Sequence, residues 1–169
     1  MNTQPSLPAI GDTTYGGIFA GCYFLNGTPY ALIVSPRDEG EFDEEPWGKN
    51  EKVTGAPSPQ DGLANTLAMA KAGNALAKRI LALQIGDFED WYLPSRLELF
   101  TAWLNVRDQF QATWYWTSTQ SASNPAYAWY QLFYDGYQSL FRKDDGLRAR
   151  AVRRLPIQSF SNSLLSEAA

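Results

Sequence analysis

Between Trp114 and Phe141 the chain places ten aromatic rings within 28 residues, at positions 114, 115, 116, 127, 129, 130, 133, 134, 137 and 141. Aromatic residues favour the pleated, half-buried surface of a sheet. Segments 113–119, 126–134, 137–143 and 147–154 therefore read as short strands. They are separated by Ser121-Ala-Ser-Asn-Pro125, Asp135-Gly136 and Asp144-Asp-Gly146, and Asp-Gly between two such runs is a tight-turn signature. The last run alternates, with Leu147, Ala149 and Ala151 on one parity and Arg148, Arg150 and Val152 on the other.

The simplest account makes all these rings core. They occupy both parities of the second strand, however: Tyr127, Trp129 and Phe133 on one, Tyr130 and Tyr134 on the other. If one face packs on helices, part of the other must meet solvent or a partner. Tyr and Trp suit such faces because they bury much area at little entropic cost. Polar Gln131, Asp135, Gln138 and Ser139 lie close to Tyr127, Tyr134 and Tyr137 and mark the exposed side. The candidate ligand-binding set is Tyr115, Tyr127, Trp129, Gln131, Phe133, Tyr134, Asp135, Tyr137, Gln138 and Arg142.

Upstream, Gly17–Leu25 and Tyr30–Val34 flank an Asn26-Gly27 step, the strongest short-range hairpin signal. Residues 38–51 hold seven of the 18 acids and read as a long loop of solvated charges. Residues 63–83 follow helical spacing from an Asp61 cap, weakened in the middle by Gly73-Asn74. A second helix begins after Pro94 with the capping box Ser95-Arg-Leu-Glu98, and Leu97, Phe100, Trp103 and Leu104 are its expected apolar face. Residues 1–14 read as a polar N-terminal arm, 15–155 as one domain, and 156–169 as a Ser-rich tail. Strands segregated from helices define an α+β chain, and 169 residues suffice for one core.

The composition narrows the chemistry. With 0 His there is no Ser–His or Cys–His pair, and zinc would lack its commonest nitrogen ligand. The single cysteine, Cys22, cannot form an intrachain disulfide and reads as a small core residue. Lys143 beside Asp144-Asp145 reads as a solvated turn rather than a catalytic group. A net charge of −4 disfavours a nucleic-acid partner. No apolar run is long enough for membrane insertion, and the first residues carry no signal-peptide pattern, so synthesis in the cytoplasm is expected. No enzyme activity, metal or cofactor is expected.

Two segments carry a family resemblance. One is Asp90-Trp-Tyr-Leu-Pro-Ser-Arg-Leu-Glu-Leu99. The other is Trp114-Tyr-Trp-Thr-Ser-Thr-Gln120, continued by Ala126–Phe133 and closed by Arg150-Ala-Val-Arg-Arg154. In this order they resemble the Lcl-C family, named for the C-terminal domain of a bacterial collagen-like adhesin. Gly16–Gly21, Tyr30–Val34 and Asp61–Thr66 are similar to its phage and prophage members. The resemblance implies a C-type-lectin-like fold, with two helices packed on a twisted antiparallel sheet and a hairpin joining the termini. It also implies that Trp116 is core. The calcium-binding triplets of many such lectins do not occur. Arg150, Arg153 and Arg154 are expected to pin loops by pairing with Glu98 or with acids around Asp87–Asp90.

The function expected from the resemblance and the rings together is non-catalytic recognition by a tail-associated phage or prophage virion protein. Its partners would be a host cell-surface protein or glycan and other virion proteins, and it would form homo-oligomers. A structural virion protein using the aromatic face for assembly, and the variable protein of a diversity-generating retroelement, are the alternatives.

Overall fold

The structure is a computed structural model and describes residues 6–160. It is α+β, with nine strands and four helices among the described residues. The first sheet contains β1 (Thr13–Thr14), β2 (Gly17–Leu25), β3 (Thr28–Val34) and β9 (Val152–Pro156), in that order. Asn26 and Gly27 take φ of 50° and 80°, the paired positive values that a two-residue hairpin loop requires. β9 pairs antiparallel with β3, Val34 opposite Val152, so the amino-terminal hairpin holds the carboxy-terminal strand.

The second sheet runs β4 (Glu41–Pro46), β8 (Gly146–Arg150), β5 (Trp114–Gln120), β6 (Tyr127–Leu132), β7 (Gln138–Arg142). It is mixed rather than antiparallel throughout, because β5 meets β8 in parallel at Tyr115 and Arg148. The helices are α1 (Arg37–Gly40), α2 (Gly62–Lys71), α3 (Ala75–Leu81) and α4 (Arg96–Val106), which replace the expected pair. Gly73, at φ 89°, ends the first long helical run, and the Asn74 side chain caps α3 by accepting from Ala77 N at 2.9 Å. Asp61 caps α2 through Ala64 N. The Ser95–Glu98 capping box forms in both directions.

The middle of the first sheet is buried on both faces. Phe19, Ala31 and Ile33 pack with Trp47, Trp91, Trp116 and the α2–α3 pair. Ala20, Leu32 and Val34 pack with α4, Tyr115 and Phe133. Phe160 is buried against Tyr15, with ring centroids 5.1 Å apart, so the chain stays with the domain that far. Residues 11–14 are joined to it by β1, while positions 1–5 of the expected arm and 161–169 of the expected tail lie outside the described residues.

Four local expectations are corrected. The acidic stretch is not a solvated loop: α1 and β4 occupy 37–46, and arginines of β8 hold β4 in place. Arg148 bonds Glu41 and Asp43, each at 3.1 Å, and Arg150 bonds Glu41 at 2.8 Å. Lys143 is fully buried, donating to Glu51 O and Gln120 Oε1 at 2.8 and 2.6 Å beside the Trp47 ring, and burial lowers its pKa to about 8. Cys22 is exposed: it lies past the register shift of β2, toward the end of the hairpin where Phe24 is also in solvent.

The fourth correction concerns α4. It buries Glu98, Leu99, Thr101, Ala102 and Val106, and leaves Phe100 and Leu104 exposed and Leu97 and Trp103 half-buried. Short side chains let the helix approach β2 closely, where Asn105 donates to Ala20 O at 2.8 Å. A Cβ on Gly21 would stand 2.6 Å from Asn105. The arginine pins also differ in detail. Arg153 pairs with Asp90 as expected, but Arg150 takes Glu41 and Arg154 takes Asp61, while Glu98 is held by tyrosines.

Candidate functional site

Register places most of the candidate residues on one face. Tyr127 stands opposite Arg142, Trp129 opposite Leu140, and Gln131 opposite Gln138; Tyr115 of β5 faces Gln131. Side chains of a strand alternate between faces, so these positions point one way. The other face carries Trp114, Trp116, Tyr130 and Phe141 by the same count.

Within that set the structure separates support from surface. Tyr115, Gln131 and Phe133 are buried and offer no surface to a ligand. Tyr115 and Phe133 pack on Phe110, and the Tyr115 hydroxyl donates to Glu41 at 3.0 Å. Tyr127, Trp129 and Gln138 are half-buried, while Asp135 and Arg142 are exposed. Arg142 is not free: it grips Asp144 in a bidentate pair at 3.0 and 2.7 Å, and this pairing lowers the Asp144 pKa to about 2. Tyr134 and Tyr137 are the outermost, at 75% and 58% exposure.

The two tyrosines ride on a turn that is fastened to α4. Trp103 Nε1 donates to Phe133 O at 3.2 Å, and Asp135 Oδ1 accepts from Tyr137 N at 3.0 Å. Gly136, at φ 85°, lets the Trp103 ring close on the backbone; a Cβ there would stand 2.7 Å from the ring. Gly136→Ala is expected to lower stability by about 1–3 kcal/mol, through both the left-handed backbone and the clash. Chemical denaturation checks this, and a neutral result would show that the turn is not clamped.

Arg96, the first residue of α4, completes the face and was not singled out from sequence. Its guanidinium lies 3.5 Å from the centre of the Trp129 ring, its Nε donates to Gln138 Oε1 at 3.1 Å, and its carbonyl accepts from Gln138 Nε2 at 2.9 Å. Gln138 also donates to Gln131 Oε1 at 2.7 Å. Unlike the six arginines paired with acids, Arg96 has no carboxylate partner among the described residues. An arginine at the helix start gives no local signal for this role, because its partners are 33 and 42 residues away.

These groups suit binding rather than bond-making. They offer ring faces, amides and a held guanidinium. No group of three or more His, Cys, Asp or Glu among the described residues is placed to hold a metal ion. Among the same residues no helix is long and apolar enough to cross a membrane. Fold and site thus define a small α+β domain that presents an aromatic face.

Residues 46–153 match the family described as the Lcl C-terminal domain. The match spans more than half of the 169-residue chain, and the protein belongs to that family. No curated protein matches the sequence.

Proposed function

We propose that this protein is a recognition domain that contacts its partner through the Tyr134–Tyr137 turn and the adjoining Trp129–Arg96 surface. The observation that carries the reading is the pair of exposed tyrosines on a turn fixed to α4. Rings held in place lose little freedom on binding, so more of their buried area appears as affinity. The fold we read as C-type-lectin-like, on the strength of the family resemblance and the strand β9 that joins the two ends of the chain.

The setting we propose is a tail-associated phage or prophage virion, in which the domain attaches to a host surface protein or glycan. The likeness of segments 16–21, 30–34 and 61–66 to phage members supports it. In that setting the protein is assembled into the particle as a homo-oligomer. Labelled protein is expected to bind cells of the strain carrying the gene saturably. Tyr134→Ala with Tyr137→Ala should weaken that binding by tenfold or more, about 1.4 kcal/mol or above, with the oligomeric state unchanged. If the double variant keeps full cell binding but no longer assembles, the face is a subunit contact and the recognition reading fails.

A further inference from the structure

Arg96 brings to the recognition face a charge with no counter-ion among the described residues. The guanidinium is nonetheless fixed. It lies over the Trp129 ring, 3.5 Å from the centroid, and its Nε is tied to Gln138, which is bonded in turn to Gln131. The terminal nitrogens, Nη1 and Nη2, have no hydrogen-bond partner among the described residues. Ser35 Oγ is the sole buried side-chain polar atom left unpartnered there, so both Nη groups of the half-buried Arg96 reach solvent. Partial burial lowers the Arg96 pKa, as happens to a cation that has lost water without gaining an anion. Arg142, the other cation of the face, is neutralised by Asp144 at 2.7 Å. Asp135 accepts from Tyr137 N and forms no ion pair among the described residues.

We propose that Arg96 receives the carboxylate of an aspartate or glutamate from a protein partner. This names the partner of the recognition face and rests on that reading. With Nε engaged and one flat side of the guanidinium on the indole, the edge left free is the Nη1–Nη2 pair. Two parallel N–H bonds from that edge match the two oxygens of a carboxylate. A phosphate dianion calls for more donors, and the first turn of α4 has none to lend. Arg96 N donates to Thr119 Oγ1, Leu97 N to Pro59 O and Glu98 N to Ser95 Oγ. What adjoins the guanidinium favours a protein over an acidic sugar. Tyrosine, tryptophan and arginine together are the residues that dominate binding energy between proteins. Along α4 the face continues from Trp103, which is bonded to the Tyr134–Tyr137 turn, to Phe100, stacked on it at 5.6 Å, and to Leu104, 59% exposed. Such a ridge is covered well by apolar side chains and poorly by hydroxyls.

The test is a titration of the folded full chain followed by NMR, reading the Trp129 indole N–H, assigned with Trp129→Phe. Acetyl-Leu-Glu-Leu-amide is expected to shift that signal saturably, and acetyl-Leu-Gln-Leu-amide to bind about tenfold more weakly or worse. Arg96→Lys keeps the charge and loses the fork. It should weaken the glutamate peptide about tenfold and leave the glutamine peptide unaffected. The peptide comparison uses the natural chain and holds whether or not that variant folds. No saturable shift with the glutamate peptide overturns the proposal. So does equal affinity for the two peptides, or tighter binding of inorganic phosphate or sodium glucuronate than of the glutamate peptide. Peptide and cell binding are read separately. If the peptide fails while Tyr134→Ala with Tyr137→Ala still weakens cell binding, the carboxylate is overturned and the face stands. If the tyrosine pair has no effect on cell binding, the face itself is overturned.

Discussion

Glu98→Ala is expected to remove about 3–5 kcal/mol of stability, a large part of what a domain of this size has. The carboxylate is fully buried at the first turn of α4. Its Oε1 accepts from the hydroxyls of Tyr23 and Tyr92, and its Oε2 from Gly62 N and Ser95 N at 3.1 and 2.8 Å. One side chain thus ties β2, the segment before α4, the start of α2 and the start of α4. Truncation would strand four donors and open a cavity. Glu98→Gln should cost less than alanine but more than a surface change, since its amide nitrogen turns a donor toward one of the two donor pairs. Urea denaturation checks both, and a loss below about 1 kcal/mol for alanine would mean that water replaces the carboxylate.

Burial raises the Glu98 pKa above its ordinary value, against the pull of its hydrogen bonds with Tyr23, Ser95 and Tyr92. The sign of the pH effect follows. As pH rises from about 4.5 through the raised native value, the unfolded chain has already released this proton and the native chain has not. Stability contributed by this group is present below that window and falls across it. The advantage of the natural protein over Glu98→Gln should therefore shrink between pH 4.5 and the native pKa.

Arg150→Met is expected to cost about 3 kcal/mol. Its guanidinium is buried and donates twice to Ser35 O, at 2.9 and 2.7 Å, and once each to Glu41 and Gln109 O. It is the pin that fastens the second sheet to the end of β3 and to the 3₁₀ turn at Arg107–Gln109. Arg150→Lys should rescue little, because one ammonium cannot span acceptors set for a planar fork. Arg148→Ala, at a more exposed pair with Glu41 and Asp43, should cost about 1 kcal/mol or less. Equal losses at the two positions would show that Arg150 is no more than another surface ion pair.

The strand and turn geometry around the candidate residues was legible because its grammar is local. Alternation put Tyr127 and Trp129 on one side of the second strand and Tyr130 on the other, and the register agrees. Asp135-Gly136 marked the turn that exposes Tyr134 and Tyr137. What alternation could not tell was which end of the face is covered. Tyr115 and Phe133 pack with α4 and Phe110 and Gln131 is buried under Gln138, while Trp129 is half-buried with Arg96 over its ring.

Pieces whose stability is set within a few residues can be read from the local order of the chain. These are the Asn26-Gly27 hairpin, the caps at Asp61 and Ser95, the break at Gly73-Asn74, and the order of motifs that marks the family. Tertiary structure alone decided what each surface meets. It made a strand of the acidic run by bringing Arg148 and Arg150 to Glu41, more than 100 residues away. It buried Lys143 against Trp47 and Gln120, left Cys22 in solvent, and turned Phe100 and Leu104 of α4 outward. The physical reason is the range of the forces' partners. A cap or a turn finds its hydrogen bond within four residues, whereas burial and charge pairing depend on which distant segment arrives to cover a side chain.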